Sequence, residues 1–225
     1  MNQPHSRERE ALDAILRAGL WFVDIPRTSS TSVRTQLSAK FGRTFGKRNT
    51  MDPDHSNDQL ILDHLPARLI RDFVGPAAWN DLFTFSIVRN PWDRIFSLFH
   101  YRRRAREISP HLEFREYMLS LDRLLSGSES ERQLFPFWGH HFSASSFVCG
   151  HSGEILVDEI IRFENRSEGL ARVGDRLGLA TLGTLHIQGA RPPDASYRQA
   201  YDSDTRRIIE RHYQSDIELF EYTFD

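Results

Sequence analysis

The stretch "GLWFVDIPRTSSTSVR", residues 19–34, decides the fold. Its first half is short and apolar on both faces, the pattern of a strand buried in a parallel sheet. Pro26 ends that strand, and from Ser32 the segment "SVRTQLSAKFG" reads as a helix stopped by Gly42. Between them, five of the six residues 27–32 carry hydroxyls, and the sixth, Arg27, is a permanent cation. A tight turn from a parallel strand into a helix exposes backbone N–H groups, and the helix N-terminus adds partial positive charge. The loop is therefore a candidate anion cradle, with Thr28, Ser29, Ser30, Thr31 and Ser32 adding hydroxyl hydrogen bonds and Arg27 a guanidinium fork. Ser/Thr helix caps are common, and the loop alone fits that plainer reading as well. The ATP-type spacing G-x-x-x-x-G-K-[ST] is absent, since no glycine lies between Gly19 and Gly42.

The same logic recurs in "FTFSIVRNPWDRIFSLFHY", residues 83–101. Residues 81–88 are rich in aromatic and β-branched side chains and read as a strand. Arg89 comes next at its carboxyl end, Asn90-Pro91 caps and opens a helix, and Ser97 falls two turns into it. Ligands of open α/β sheets bind outside the carboxyl ends of strands, which makes Arg89 a second anion candidate. The competing readings are an ion pair of Arg89 with Asp93, and for Ser97 a bond to its own helix backbone.

The remaining chain supplies alternating elements. Helices are expected over 66–75, 111–125 and 166–179, a third strand within 154–163, and a terminal helix on the spacing Ile209, Tyr213, Ile217, Phe220. Loops are expected at 42–58 and 180–201. This is an α/β pattern: one domain with a mostly parallel central sheet flanked by helices around a P-loop-like core. Residues 1–18 would form an N-terminal extension or helix, and 19–225 the domain proper.

Bulk properties narrow the function. The chain has 225 residues, 39% hydrophobic and 27% charged, with a net charge of −2. This composition is globular and gives no global attraction for nucleic acid or an acidic membrane, so any anion site is local. The lone Cys149 excludes an internal disulfide. With no apolar leader and no membrane-length apolar run, a cytoplasmic protein is expected.

Taken as an ordered pair, the two strand–helix segments resemble a known family. "IPRTSSTSVR" resembles the 5′-phosphosulfate loop of the sulfotransferases dependent on 3′-phosphoadenosine 5′-phosphosulfate (PAPS), usually written Lys-Thr-Gly-Gly-Thr-Ser. "FSIVRNPWDRIFSLF" resembles their 3′-phosphate strand and helix. "IIRFENRSEGLARVGDRLGL" (160–179) and the terminal "YRQAYDSDTRRIIERHYQSDIELFEYTF" are similar to blocks of the carbohydrate-type branch. The resemblance implies that Arg27 and Thr28 to Ser32 hold the 5′-phosphosulfate and that Arg89 and Ser97 hold the 3′-phosphate. Arg191, with Ser196 and Tyr197, would lie in the loop that closes over the nucleotide. It implies sulfuryl transfer, without a metal, to a hydroxyl acceptor such as a carbohydrate or small metabolite. Arg27 would then act in catalysis beside a general base.

Two positions depart from the family pattern. Arg27 stands where lysine is usual, and an arginine can stabilise charge but not donate a proton. Ser29-Ser30 replaces a glycine pair, at a steric cost wherever the backbone needs a positive φ.

Among ten histidines, His64 in "LILDHLPARLI" is the candidate base, because in similar carbohydrate sulfotransferases a histidine precedes the helix leading to the 3′-phosphate strand. A polar helix cap is its plainer reading. His55 and His140 are the other candidates, and Asp63 could orient His64. His140, His141, Cys149 and His151 do not have a standard zinc spacing. The arginines of "RRRARE" (102–107) suit a helix C-terminus or recognition of an acidic acceptor. Two other functions stay open on the residues: a different nucleotide-dependent transferase such as a small-molecule kinase, and a nucleotide-binding protein of weak activity.

Overall fold

The computed structural model describes residues 4–45, 63–128, 138–184 and 196–225. Three short strands, β1 (Leu20–Val23), β2 (Phe83–Val88) and β3 (Glu159–Arg162), form one parallel sheet in the order β1-β2-β3. With its helices this is the expected α/β fold. The chain divides into two compact units, residues 1–88 with 146–187 and residues 89–145 with 188–225.

The first unit holds the sheet. Every residue of β1 and β2 is buried, as their continuous apolar runs require. Phe22 pairs with Phe85 in register, and their rings stack at 4.9 Å between centroids. Ser86, inside an otherwise apolar strand, donates its hydroxyl to the Val23 carbonyl at 2.7 Å, so its burial leaves no unmet donor. Asp158 fastens β3 to β2. Its Oδ2 accepts from the Thr84 backbone N–H at 2.7 Å and from the Thr84 hydroxyl at 2.8 Å.

Helix α1 (Pro4–Ala18) turns the expected N-terminal extension into an element packed on β1, with Ala11 and Ile15 buried. Helix α2 (Ser30–Phe41) begins two residues before the expected start and ends at Gly42, whose φ is 96°. Helix α3 (Ala67–Val74) ends at Gly75, and Pro76 opens a further short helix, α4 (Pro76–Asp81), which the sequence pattern does not announce. Proline in a first turn loses no intrahelical bond, and it begins α4 here as Asn90-Pro91 begins a helix later.

Helix α5 is the one after β2 in the chain (Pro91–Arg104), and α6 spans Phe114–Ser126; both belong to the second unit. Back in the first unit, α7 (Arg166–Leu177) lies against β3 and ends at Gly178 in the left-handed region.

In the second unit, Asn90 caps α5 by accepting from the N–H groups of Trp92 and Asp93, and its amide donates to the Thr223 carbonyl at 2.7 Å. Phe96, Phe99, Phe114, Tyr117, Tyr201 and Tyr213 build an aromatic core. The terminal periodicity is expected to give one helix, but the chain makes two, α8 (Ser203–His212) and α9 (Gln214–Leu219). The break falls at Tyr213, which leaves the helical region at φ −122° and donates its hydroxyl to the His141 carbonyl at 2.8 Å. The restart lets the buried Asp216 accept the N–H groups of Ala144 and Ser145, each at 2.7 Å. Burial pushes this carboxyl above the usual carboxylate range, while nearby Arg94 and the two N–H donors oppose the shift.

Among the described residues, no helix is long and apolar enough to cross a membrane.

Gly169 sets how close α7 comes to the sheet. A Cβ there would stand 2.4 Å from Cγ2 of Ile161, a buried β3 side chain. Gly169→Ala is expected to cost about 1–3 kcal/mol by overpacking, read as a lowered urea midpoint at unchanged m-value. An unchanged midpoint would mean that the helix has room to shift.

Candidate functional site

The loop from β1 into α2 has an unusual backbone. Arg27 (φ 70°) and Ser29 (φ 76°) are left-handed, whereas Thr28 is not, and Ser30 enters the helix. Alternation of this kind is the backbone pattern of a nest, which turns successive N–H groups to one side and makes the loop a candidate anion site. Among the described residues five non-glycine residues have positive φ, and three of them, Arg27, Ser29 and His64, belong to the candidate site. Strain of this kind costs on the order of 1–3 kcal/mol per residue and persists only where the surroundings hold it.

The hydroxyls divide into two sets. Thr28 and Ser30 are buried, and both donate to the Ile25 carbonyl, at 2.8 and 2.9 Å. They staple the turn, leaving their lone pairs rather than their protons for a ligand. Ser29 and Thr31 reach the surface, and Ser29 makes no side-chain cap bond, which removes the plain N-cap reading for it. Ser32 is buried and Arg27 is half-buried.

Behind the loop lies an ion-pair cluster that motif reasoning missed. Asp24, the first residue after β1, is 1% exposed, and its Oδ2 accepts from Nε of the buried Arg34 on α2. Arg34 also donates to the Phe45 carbonyl at 3.2 Å and lies over the Trp21 ring. His64 comes to the same carboxylate: its Nδ1 is 3.2 Å from Oδ1 of Asp24 and 3.2 Å from the Asp24 carbonyl oxygen. Asp24, which the sequence reading did not single out, is the aspartate that faces His64. The signal visible in the sequence is an aspartate at the end of an apolar strand, where only a buried partner explains a charge.

A cavity of about 260 Å³ opens beside the loop, lined by Ser29 and Ser32, by Arg166, Ser167 and Leu170 of α7, and by Gly183 and Thr184. Two ties hold its walls. Gln36 of α2 accepts from the Gly183 N–H at 2.9 Å, and Lys40 at the far end of α2 donates to the carbonyls of Leu177 and Gly178 at 2.8 and 2.6 Å.

Arg89 and Ser97 are in the second unit. Arg89 is buried, and its guanidinium meets Asp93 at 2.7–2.8 Å, so the expected alternative partner is present. Ser97 is buried within α5. Tyr197 turns inward, donating to the Phe224 carbonyl at 2.9 Å. Arg191 and His55 fall outside the described residues. His140 lies in the short turn Trp138–His141 of the second unit. His141 contacts the Tyr117 hydroxyl at 3.3 Å and Cys149 is buried; among the described residues no group of three or more potential metal ligands gathers.

Residues 17–223, nearly the whole chain, match the model of the sulfotransferase family. The chain belongs to the sulfotransferase family. A sulfotransferase is a transferase enzyme, and the α/β fold and the anion nest after β1 accord with that membership. The chain is also similar to an uncharacterized protein of Archaeoglobus fulgidus, 26% identical over 135 residues, which are 60% of this chain and 98% of that protein. No solved structure matches it.

Ser29 and Ser30 stand where the family pattern has glycines, and their backbones differ. Ser29→Gly relieves a left-handed residue and is expected to raise stability by up to about 1 kcal/mol. Ser30→Gly, in the helix, is expected to lower it by about 0.5–1 kcal/mol. Chemical denaturation of both variants checks this contrast, and equal shifts would contradict the backbone assignment.

Proposed function

We propose that this sulfotransferase takes the sulfuryl group from PAPS and delivers it to a hydroxyl on a carbohydrate or small metabolite, with His64 as general base. The observation that carries the reading is the nest at 27–30, with the imidazole of His64 anchored on Asp24 at the root of the same loop. Bound PAPS supplies the sulfuryl group and a phosphate leaving group.

The residues divide the work. N–H groups of the nest and of the α2 N-terminus, with Arg27, hold the phosphosulfate and stabilise the charge that builds on the leaving oxygen. Arg27 stays protonated throughout and acts only as a charge. Ser29, Thr31 and Ser32 contribute hydroxyls to the same anion, and Thr28 and Ser30 shape the turn. Arg89 and Ser97 bind the 3′-phosphate, and Asp93 holds the guanidinium of Arg89 in a fixed pose until the phosphate arrives. By the resemblance, Arg191 would add a further nucleotide contact.

In the transfer, the acceptor oxygen attacks sulfur in line. One S–O bond forms as the bridging S–O bond breaks, and the acceptor proton passes to Nε2 of His64. Positioning and charge stabilisation supply most of the catalysis, and the base adds about 10²–10⁴-fold.

Removing the base tests its role. His64→Ala is expected to lower kcat by about 10²–10⁴-fold with donor binding retained. Full activity would exclude His64 from proton transfer.

The donor is tested by calorimetry without metal. The product nucleotide 3′-phosphoadenosine 5′-phosphate should bind more tightly than ADP or ATP. Arg89→Ala should weaken that binding by about 10-fold or more while AMP binding changes little, the loss of a charged hydrogen-bonded contact being worth about 1.5–3 kcal/mol. Tighter binding of ATP would point to a kinase. Equal losses for both nucleotides would remove Arg89 from the 3′-phosphate, and nucleotide binding without transfer to any hydroxyl would mark a binding protein.

A further inference from the structure

We infer that Asp24 is a positioning residue for His64, anchored in turn by Arg34, and that this buried chain fixes the imidazole in the tautomer with the proton on Nδ1. The inference rests on the proposed role of His64 as base and adds how the fold prepares it.

Nδ1 of His64 makes its hydrogen bond to the Asp24 backbone carbonyl at 3.2 Å, and Oδ1 of the Asp24 carboxylate lies at the same distance in ion-pair range. Carbonyl and carboxylate oxygens only accept, so the ring nitrogen facing them must donate. A neutral imidazole carries one N–H. Its proton therefore sits on Nδ1, and Nε2 keeps the lone pair that a base needs.

Asp24 can do this only while ionised, and it is almost fully buried. Arg34, itself 2% exposed, supplies the compensating charge through Nε to Oδ2, leaving Oδ1 turned toward the histidine. Arg34 is held in turn by the Phe45 carbonyl and the Trp21 ring. The carboxylate is thus shared, one oxygen for a permanent cation and the other for a group that must change its protonation during turnover.

The backbone supports the same reading. His64 has φ 56°, a left-handed value that a histidine adopts at a cost, and it lies just before α3.

When the acceptor proton arrives on Nε2, the ring becomes an imidazolium with both nitrogens donating, and the Asp24 carboxylate faces the new charge. The proton stays on the ring, and Asp24 remains paired with Arg34. Asp24 orients the ring and stabilises the cation.

The test uses the whole protein in two measurements. In the wild type labelled with ¹⁵N-histidine, the resonances of His64 are assigned by their loss in His64→Gln. At a pH where the ring is neutral, Nδ1 is expected to carry the proton and Nε2 to be bare. The reverse tautomer would overturn the inference.

Asp24→Asn removes the negative charge beside the ring while leaving the backbone carbonyl that accepts from Nδ1. It is expected to lower kcat by roughly 10²-fold, the lower end of what a positioned base supplies, with KM for the donor changed by less than about twofold. An unchanged kcat with normal folding would overturn the inference while leaving His64 as base. Loss of both kcat and donor binding would make Asp24 a purely structural residue and would overturn it too. If the exchange prevents folding by stranding Arg34, the wild-type tautomer decides alone. If His64→Ala keeps full activity, the reading of the base fails whatever the tautomer.

Discussion

The parallel pairing of β1 with β2 is the constraint on which the rest depends. Val23 lies opposite Ser86, so the two strands finish at the same edge of the sheet. Immediately after β1 comes the left-handed turn at Arg27 and Ser29, and immediately after β2 comes Arg89, the two candidates for anion binding. A short sheet with all its strands pointing one way gathers its carboxyl ends, where open α/β sheets place their ligands. The strands can be short because they are buried on both faces, and Ser86 and Thr84 resolve their polar groups within the sheet itself.

Much of this fold is written in local pattern. Alternating apolar runs, Gly42, Gly75 and Gly178 as helix stops, and Asn90-Pro91 as a helix start all place elements close to where they lie. The departures share one cause, which is that the deciding partner is distant in sequence. The terminal helix breaks because Tyr213 and Asp216 answer to residues 141–145, far earlier in the chain. The start of α2 at Ser30 depends on a left-handed residue that only a glycine would have announced.

The candidate site shows the same division. The loop 27–32 is legible from composition and motif, because hydroxyls and an arginine after a strand have few uses. The roles of individual hydroxyls are not legible. Thr28 and Ser30 look like ligand donors in sequence, but their protons serve the Ile25 carbonyl. His64 is singled out in the sequence, but Asp24 and Arg34 look ordinary there, and their link to it is a meeting across 40 residues of chain. Where the family pattern has glycine, Ser29 takes a left-handed turn, and the bonds of Thr28 and Ser30 to the Ile25 carbonyl hold it.

Lys40 carries one more consequence. The helix whose first turn lines the cavity also reaches, near its opposite end, the carbonyls of Leu177 and Gly178. Gln36 adds a second rung midway, to Gly183. The walls of the cavity beside Ser29 and Ser32 therefore form a bracket riveted at its closed end. Both ties lie further along α2 than Ser32, so an occupant wider than the gap would press on them through one continuous helix, the Lys40 tie about two helical turns beyond Ser32.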